Sequence, residues 1–288
     1  EVFMLNNNMK TPYSDQFSLG IRDRFVVWNQ DWLTQLTFVY NEYNDGIIFL
    51  LGQRYPDGTF RPPGTTWNNA PWGEHPAYQG QNLGNILLGT NGVKTRAKQV
   101  LLSIQKPYSS DSGWGVTLAY TFTDGEENRV NSAKDDDTYI FDYPSINEFG
   151  WNKSTGVPDQ RLVLMGILYR PWGIGLSTKL NLATPMYYST INCVEASDPD
   201  HCFWDSKKPD TTLGYKQFDI AAQKTFTVME DLDLRIRFDL LNVFNWENPD
   251  GRDEFSGNFG APNANFLNPT TYLQPTRTFK LSLSANWR

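Results

Sequence analysis

Two cysteines and two histidines are the side chains of this sequence best suited to covalent or metal chemistry. Cys193 and Cys202 lie close together in a polar segment, and the chain contains no other cysteine. An isolated pair of this kind predicts one disulfide bond, formed in an oxidising compartment. A metal site that adds His201 to the pair is the alternative, but the adjacent side chains of His201 and Cys202 point apart and a fourth ligand is missing.

No combination of residues indicates catalysis. His75 and His201 are the only histidines, and both lie in long polar segments. Neither has a nucleophile motif or a cluster with metal-ligand spacing beside it. We therefore expect that the protein is not an enzyme and that it holds no cofactor.

Acidic residues are concentrated around one long polar segment, at Asp124–Glu127 and Asp135–Asp137. Carboxylate oxygens concentrated in this way can bind Ca²⁺. The spacing matches no calcium-binding loop, so a solvated acidic loop is the preferred interpretation and a calcium site is the alternative.

Another long segment is rich in aromatic residues and prolines. It contains Trp67, Trp72, His75 and Tyr78. Loops of this composition suit either a packed cap or a surface that contacts an extracellular ligand.

The overall composition excludes two classes of protein. The net charge is −7 and the isoelectric point is about 4.9, which argues against a nucleic-acid partner. The mean hydropathy is −0.51, and no run approaches the roughly 18 apolar residues that a membrane-spanning helix needs. If the chain crosses a membrane, strands must do so, in a closed barrel that leaves no backbone edge in lipid.

The most regular pattern is the alternation of apolar and polar residues expected of strands with two unlike faces. It predicts about nine strands of roughly 9 to 13 residues, whereas soluble strands average about 5 to 6 and membrane-spanning ones need about 9 to 11. The clear examples are Trp114–Phe122, Ile174–Leu182, Leu232–Leu240 and Phe279–Trp287. The weaker ones surround Leu19, Phe38, Leu102 and Ile220, and Arg161–Tyr169 is apolar on both faces.

Charged residues occupy the polar face of one of these strands. Asp233, Arg235, Arg237 and Asp239 alternate with apolar neighbours. This arrangement suits the wall of a water-filled lumen, where we expect the charges to pair with one another.

The connections between the predicted strands alternate between short and long. The short ones lie near 26–31, 107–113, 171–173 and 229–231, and the long ones cover roughly 44–94, 125–159, 185–214 and 245–274. Outer-membrane barrels have short periplasmic turns and long extracellular loops, whereas such loops are uncommon in compact soluble domains. We expect an all-β, antiparallel transmembrane barrel. An odd strand count with a periplasmic C-terminus would start outside the cell, so further strands are expected upstream.

Several strand motifs resemble those of TonB-dependent outer-membrane receptors. Phe238–Asn245 is similar to the signature of the penultimate strand, carried here by Asp239, Asn242, Phe244 and Asn245. The segments that resemble the Oar-like branch of the family are 11–20, 159–164, 169–173 and 274–281.

This resemblance implies that residues 1–288 form the C-terminal portion of a barrel of about 22 strands. The N-terminal plug and the upstream strands would lie outside this chain. The family is found in the bacterial outer membrane, in contact with lipid, and imports an extracellular ligand with energy from the TonB complex. The barrel assembly machinery would recognise the terminal strand through Phe279, Leu281, Leu283 and Trp287, although Arg288 follows the expected terminal aromatic residue.

Two other functions remain open. A passive porin-like or structural outer-membrane barrel would have the same strands but no plug. A soluble all-β binding protein or carbohydrate enzyme would need paired carboxylates in a cleft, which the sequence does not single out.

Overall fold

The computed structural model describes residues 2–5, 8–51, 86–128, 150–170, 173–192, 194, 203–258, 260–273 and 276–287. The described residues include no helix with the length and apolar character needed to span a membrane. Their regular secondary structure consists of strands. In chain order these are β1 Val2–Leu5, β2 Tyr13–Val27, β3 Gln30–Leu51, β4 Ile86–Lys106, β5 Trp114–Glu127, β6 Asn152–Lys153, β7 Gln160–Arg170, β8 Ile174–Ala183, β9 Tyr188–Asn192, β10 Phe203–Lys207, β11 Tyr215–Met229, β12 Leu232–Leu241, β13 Gly257–Asn258, β14 Ala261–Pro262 and β15 Thr278–Trp287.

Nine long strands form one antiparallel sheet in the order β15-β12-β11-β8-β7-β5-β4-β3-β2. Each pairs with the long strands that precede and follow it in the chain, so the sheet is a simple meander. β1 adds to β4 in parallel, and β6 adds to β5. Within the described residues, β2 and β15 are the two edges of this sheet and do not pair with each other. The nine strands expected from the alternating pattern are therefore confirmed.

The strand lengths expected from the sequence are wrong by the most for β3 and β4, which have 22 and 21 residues, and are slightly too short for β2, β5 and β11, which have 15, 14 and 15. β3 and β4 both continue into the segment expected to be a loop, where Gly46–Leu51 pairs with 87–93. The register shifts around Gly46, next to Asp45 with a positive φ of 57°. This bulge interrupts the alternation on which the expectation rested, so the pattern stops before the strand does.

The connections define two ends of the sheet. At the short-turn end, Trp28 and Asn29 join β2 to β3 with φ values of 51° and 56°, which is the geometry of a two-residue hairpin. At the long-loop end the connections are long, and the described parts contain the hairpins β9–β10 and β13–β14. The alternation of short turns and long connections follows the expectation.

The strand register lines up the apolar residues across the sheet. One row runs through Ile104, Leu118, Leu164, Leu180 and Phe218, on five successive strands. Because directly paired residues point to the same side, these residues form part of a continuous apolar belt on one face.

The other residues that the structure describes do not cover this belt. Leu19, Ile236 and Leu283 are 64%, 43% and 72% exposed, and the buried apolar side chains in the described residues are only Ile48, Val93, Ala183 and Ala221. A soluble sheet of this length would bury one face against a second layer. The exposed belt is instead what a sheet presents to lipid, with the opposite face lining a lumen.

Candidate functional site

The inner face carries the expected ladder of charges, and its contacts run along the sheet surface to charged and neutral partners. Arg237 binds Asp239 on its own strand, with Nη2 and Oδ1 2.7 Å apart, and the Asp239 side chain is only 13% exposed. Arg235 donates to Thr225 over 3.4 Å, and Asp233 accepts a 2.8 Å hydrogen bond from Thr227. The ladder therefore stabilises the wall between β11 and β12.

Three segments meet over the inner face at the long-loop end. Gly156 N donates to Tyr187 O (2.9 Å), which joins the segment before β7 to the segment after β8. Ile191 N donates to Glu254 O, and Ser256 N donates to Ile191 O, each over 3.0 Å. These backbone bonds tie the connection between β12 and β15 to β9, so the three segments form one ordered layer.

Beneath this layer lies a cavity of about 330 Å³, at the lower end of the range for ligand pockets. Its polar lining consists chiefly of Arg161, Asn181, Tyr188, Tyr215 and Arg252, and prolines, glycines and small apolar side chains supply most of the remainder. We call this space the mouth cavity.

Paired residues of three neighbouring strands form the floor of the mouth cavity. Arg161, Ala183 and Tyr215 form one row across β7, β8 and β11. The small buried side chain of Ala183 leaves room between the two larger ones. Two residues before Ala183 on the same face of β8, the buried Asn181 accepts a 3.2 Å hydrogen bond from Arg161 Nε. The Tyr215 hydroxyl donates a hydrogen bond to Gln217.

Arg252 enters the mouth cavity from the opposite side. Its Nη1 donates to Leu267 O over 2.7 Å, and its guanidinium carbon lies 5.7 Å from the centre of the Tyr188 ring. Its Nε is buried and has no hydrogen-bond acceptor within the described residues. Sequence reasoning did not single out these residues, because each comes from a different segment and none belongs to a motif.

An ion pair lies near the cavity, outside the long strands. Lys208 Nζ donates to Asp159 over 3.3 Å and lies 5.0 Å from the centre of the Tyr187 ring. The hydrogen bond that Asp159 accepts from Lys208 raises the pKa of Lys208 above its ordinary value. The Asp159 carboxylate is thereby engaged with a cation.

The residues of the penultimate-strand motif lie where β12 ends. Asn242 is 2% exposed, has a φ of 51°, and uses its side chain both to accept from Trp246 N and to donate to Trp246 O, each over 2.9 Å. Asn245 has a φ of 54° and accepts a 2.8 Å bond from Arg277 N just before β15. Phe244 stacks on Phe218 with ring centres 5.5 Å apart.

The residues proposed as an assembly signal lie on the last strand. Phe279, Leu281, Leu283 and Trp287 point to the same side as the apolar belt, and all four are more than 60% exposed. Tyr169 at the end of β7 lies on the inner face, where it packs over Gly175 and accepts a hydrogen bond from Gln223.

Several residues singled out in the sequence lie outside the described residues. These are Trp67, Trp72, His75, Tyr78, Asp135–Asp137, Cys193, His201 and Cys202. The ligand loop and the disulfide therefore stay predictions.

The acidic group at the end of β5 is partly described. Asp124 binds Lys153, and Glu126 binds Arg96 with 2.6 Å between the charged atoms. Across the described ranges, no group of three or more histidine, cysteine, aspartate or glutamate side chains is arranged to hold a metal ion. The calcium site also stays a prediction.

No protein-family model and no curated relative matches the chain. Solved structures do match. The outer membrane transporter YddB from Escherichia coli is 15% identical with a TM-score of 0.57, and the match covers 99% of this chain and 34% of YddB. The pyoverdine outer membrane receptor FpvA from Pseudomonas aeruginosa is 14% identical (TM-score 0.52, 97% of this chain, 30% of FpvA). The FrpB iron transporter from Neisseria meningitidis is 9% identical (TM-score 0.52, 99% and 32%).

At these identities the matches show the fold. The chain spans about a third of the length of the structures that it matches. YddB and FpvA are outer-membrane proteins, which is the location expected for this chain, and the Oar-like branch is not distinguished from the rest of the family. The chain therefore has the barrel fold of these outer-membrane transporters and receptors, over about a third of the length of the matched proteins.

Proposed function

We propose that this chain forms part of the wall of an outer-membrane receptor that binds an extracellular ligand and admits it by TonB-dependent uptake. The observation that carries the proposal is the contrast between the two faces of the sheet. The outer face presents an exposed apolar belt, and the inner face is polar and is covered at one end by an ordered layer of loops. Since long loops face the outside in outer-membrane barrels, the mouth cavity opens toward the cell exterior.

The free edges of the sheet support a larger barrel. β2 and β15 have 15 and 10 residues, and each has one long partner strand within the described residues. In lipid, an unpaired strand edge leaves backbone donors and acceptors without partners, which costs several kcal/mol for each group. Further strands of the same polypeptide would close the wall between β15 and β2. The plug and the TonB-contacting segment would belong to that additional part.

The partners follow from this arrangement. The apolar belt would contact outer-membrane lipid. β15 would be the strand on which the assembly machinery acts, and the TonB complex would act through the plug.

The test begins with the native polypeptide, extracted from outer membranes in detergent, and measures its intact mass and N-terminal sequence. We expect a chain roughly three times as long as this one, as in the matched structures. In whole cells, its plug should cross-link to TonB. A native chain of 33.0 kDa without a plug would overturn TonB-driven import by this polypeptide and leave a passive or structural barrel.

A further inference from the structure

We propose that the mouth cavity binds an anionic group of the ligand, a carboxylate or a phosphate, between Arg161 and Arg252. This inference rests on the proposed function and names the chemistry of the ligand that the receptor would take. It is carried by the charge of the lining, by one unsatisfied donor and by the way in which both arginines are held.

The lining of the mouth cavity is positively charged although the chain as a whole has a net charge of −7. The described residues that line it include two guanidinium groups and no carboxylate. Within the described parts of the chain, neither Arg161 nor Arg252 forms an ion pair. Two acidic residues of adjoining segments are engaged elsewhere: Asp159 binds Lys208, and Asp219 accepts from Gln217 and from Asn242 N.

One donor of a lining residue lacks an acceptor within the described residues. Arg252 Nε is buried and makes no hydrogen bond to any described residue, although Nη1 of the same group is bonded to Leu267 O. Buried polar groups in folded proteins nearly always have a partner. A carboxylate or phosphate presents two or more acceptor oxygens, and the fork of a guanidinium binds such a pair in one plane. Because Nε has almost no surface accessible to water, an anion in the mouth cavity would satisfy this donor through a shift of the Arg252 side chain.

The site is ordered before any ligand arrives. Asn181 holds Arg161 from β8, Leu267 O holds Arg252, and the Tyr188 ring lies beneath the Arg252 guanidinium. The prolines of the lining and the rings of Tyr188 and Tyr215 offer apolar surface next to the charges. A volume of about 330 Å³ admits one anionic group on a ring-sized body and not a whole large ligand.

The experiment uses the full-length native polypeptide in detergent and measures equilibrium binding of three radiolabelled probes. The probes are glucuronate, glucose 6-phosphate and glucose, which share one sugar ring. Glucuronate carries a carboxylate, glucose 6-phosphate carries a phosphate, and glucose is neutral. The variants are Arg252→Gln and Arg161→Gln. The matched control is Arg22→Gln, on another arginine of the wall that bonds Gln35 and lies outside the lining.

We expect at least one anionic probe to bind at least tenfold more tightly than glucose. Each cavity variant should weaken that binding at least tenfold, and the control should leave it unchanged. Whether glucuronate or glucose 6-phosphate binds more tightly identifies the anionic group as a carboxylate or a phosphate. Arg252→Lys keeps the positive charge but cannot form the paired hydrogen bonds of a guanidinium, so it should retain part of the affinity for the anion. Retained binding by this variant also shows that the loop layer still folds.

The inference is overturned if neither anion binds more tightly than glucose, or if both cavity variants, folded as judged by heat-modifiable migration, bind the anions as the native protein does. Binding in detergent requires neither a plug nor TonB. A positive result without uptake in cells would therefore remove the transport function and keep the anion site.

Discussion

Replacing Leu118 with arginine tests which face of the sheet meets lipid. Leu118 lies halfway along the apolar run from Trp114 to Phe122 and is paired with Ile104 and Leu164. That run covers about 26 Å at roughly 3.3 Å per residue, or about 20 Å across the membrane at a tilt of about 40°. The height is close to the apolar band of about 25 Å in outer-membrane barrels, so Leu118 lies near the middle of the bilayer.

An arginine at this depth on the lipid face of a barrel costs about 2–4 kcal/mol. The ratio of folded to unfolded protein should therefore fall roughly 30- to 700-fold. The matched control is Thr117→Arg, one residue away on the same strand at nearly the same depth. Thr117 points to the inner face between Gln105 and Met165, where water can solvate the new charge, so it should cost less than about 1 kcal/mol.

The assay is equilibrium unfolding of the full-length protein in phospholipid vesicles with guanidinium, followed by tryptophan fluorescence. Leu118→Arg should lower the unfolding midpoint clearly, and Thr117→Arg should leave it nearly unchanged. Equal losses for the two variants, or a larger loss for Thr117→Arg, would refute the assignment of the faces.

Three further changes have defined outcomes. Asn242→Ala removes both side-chain bonds to Trp246 at a positive φ; it should cost about 1–3 kcal/mol and speed proteolysis of the connection after β12. Gly46→Ala places a Cβ 2.6 Å from the Tyr43 ring, so overpacking of about 1–3 kcal/mol should expose the far part of β3 to protease while the barrel stays folded. Trp287→Ala should slow assembly into the outer membrane severalfold without lowering thermal stability, as measured by pulse-chase and heat-modifiable migration; an unchanged assembly rate would contradict the signal role.

The sheet could be predicted from the sequence because its physical cause is local. A strand between lipid and water must alternate, and that alternation is visible in Trp114–Phe122 of β5 and along β12 and β15. The continuation of β3 past Gly46 was missed because a bulge shifts the register there and Ile47–Leu51 is apolar on both faces.

The mouth cavity could not be predicted in the same way. It depends on contacts such as that of Ile191 with Glu254, between residues far apart in the chain that carry no periodic signal. Arg252 has no motif around it, and its role becomes visible only when its burial and its missing acceptor are known. The short strands β9 and β13 lie within polar segments and have only five and two residues, too few to show a period.

The part of the β3–β4 pair beyond Gly46 leaves a strand edge that another chain could bind. Gly46–Leu51 continues past the start of β2, which pairs no further along β3 than Asn44, while β1 covers the edge of β4 that faces away from β3. In the described part of the chain, the outer edge of β3 therefore has backbone groups without a strand partner, next to Ile47, which is 43% exposed. Such an edge is a template to which another extended chain can add by backbone pairing. Edge-to-edge association at the cell surface would then depend on these six residues and leave the lumen untouched.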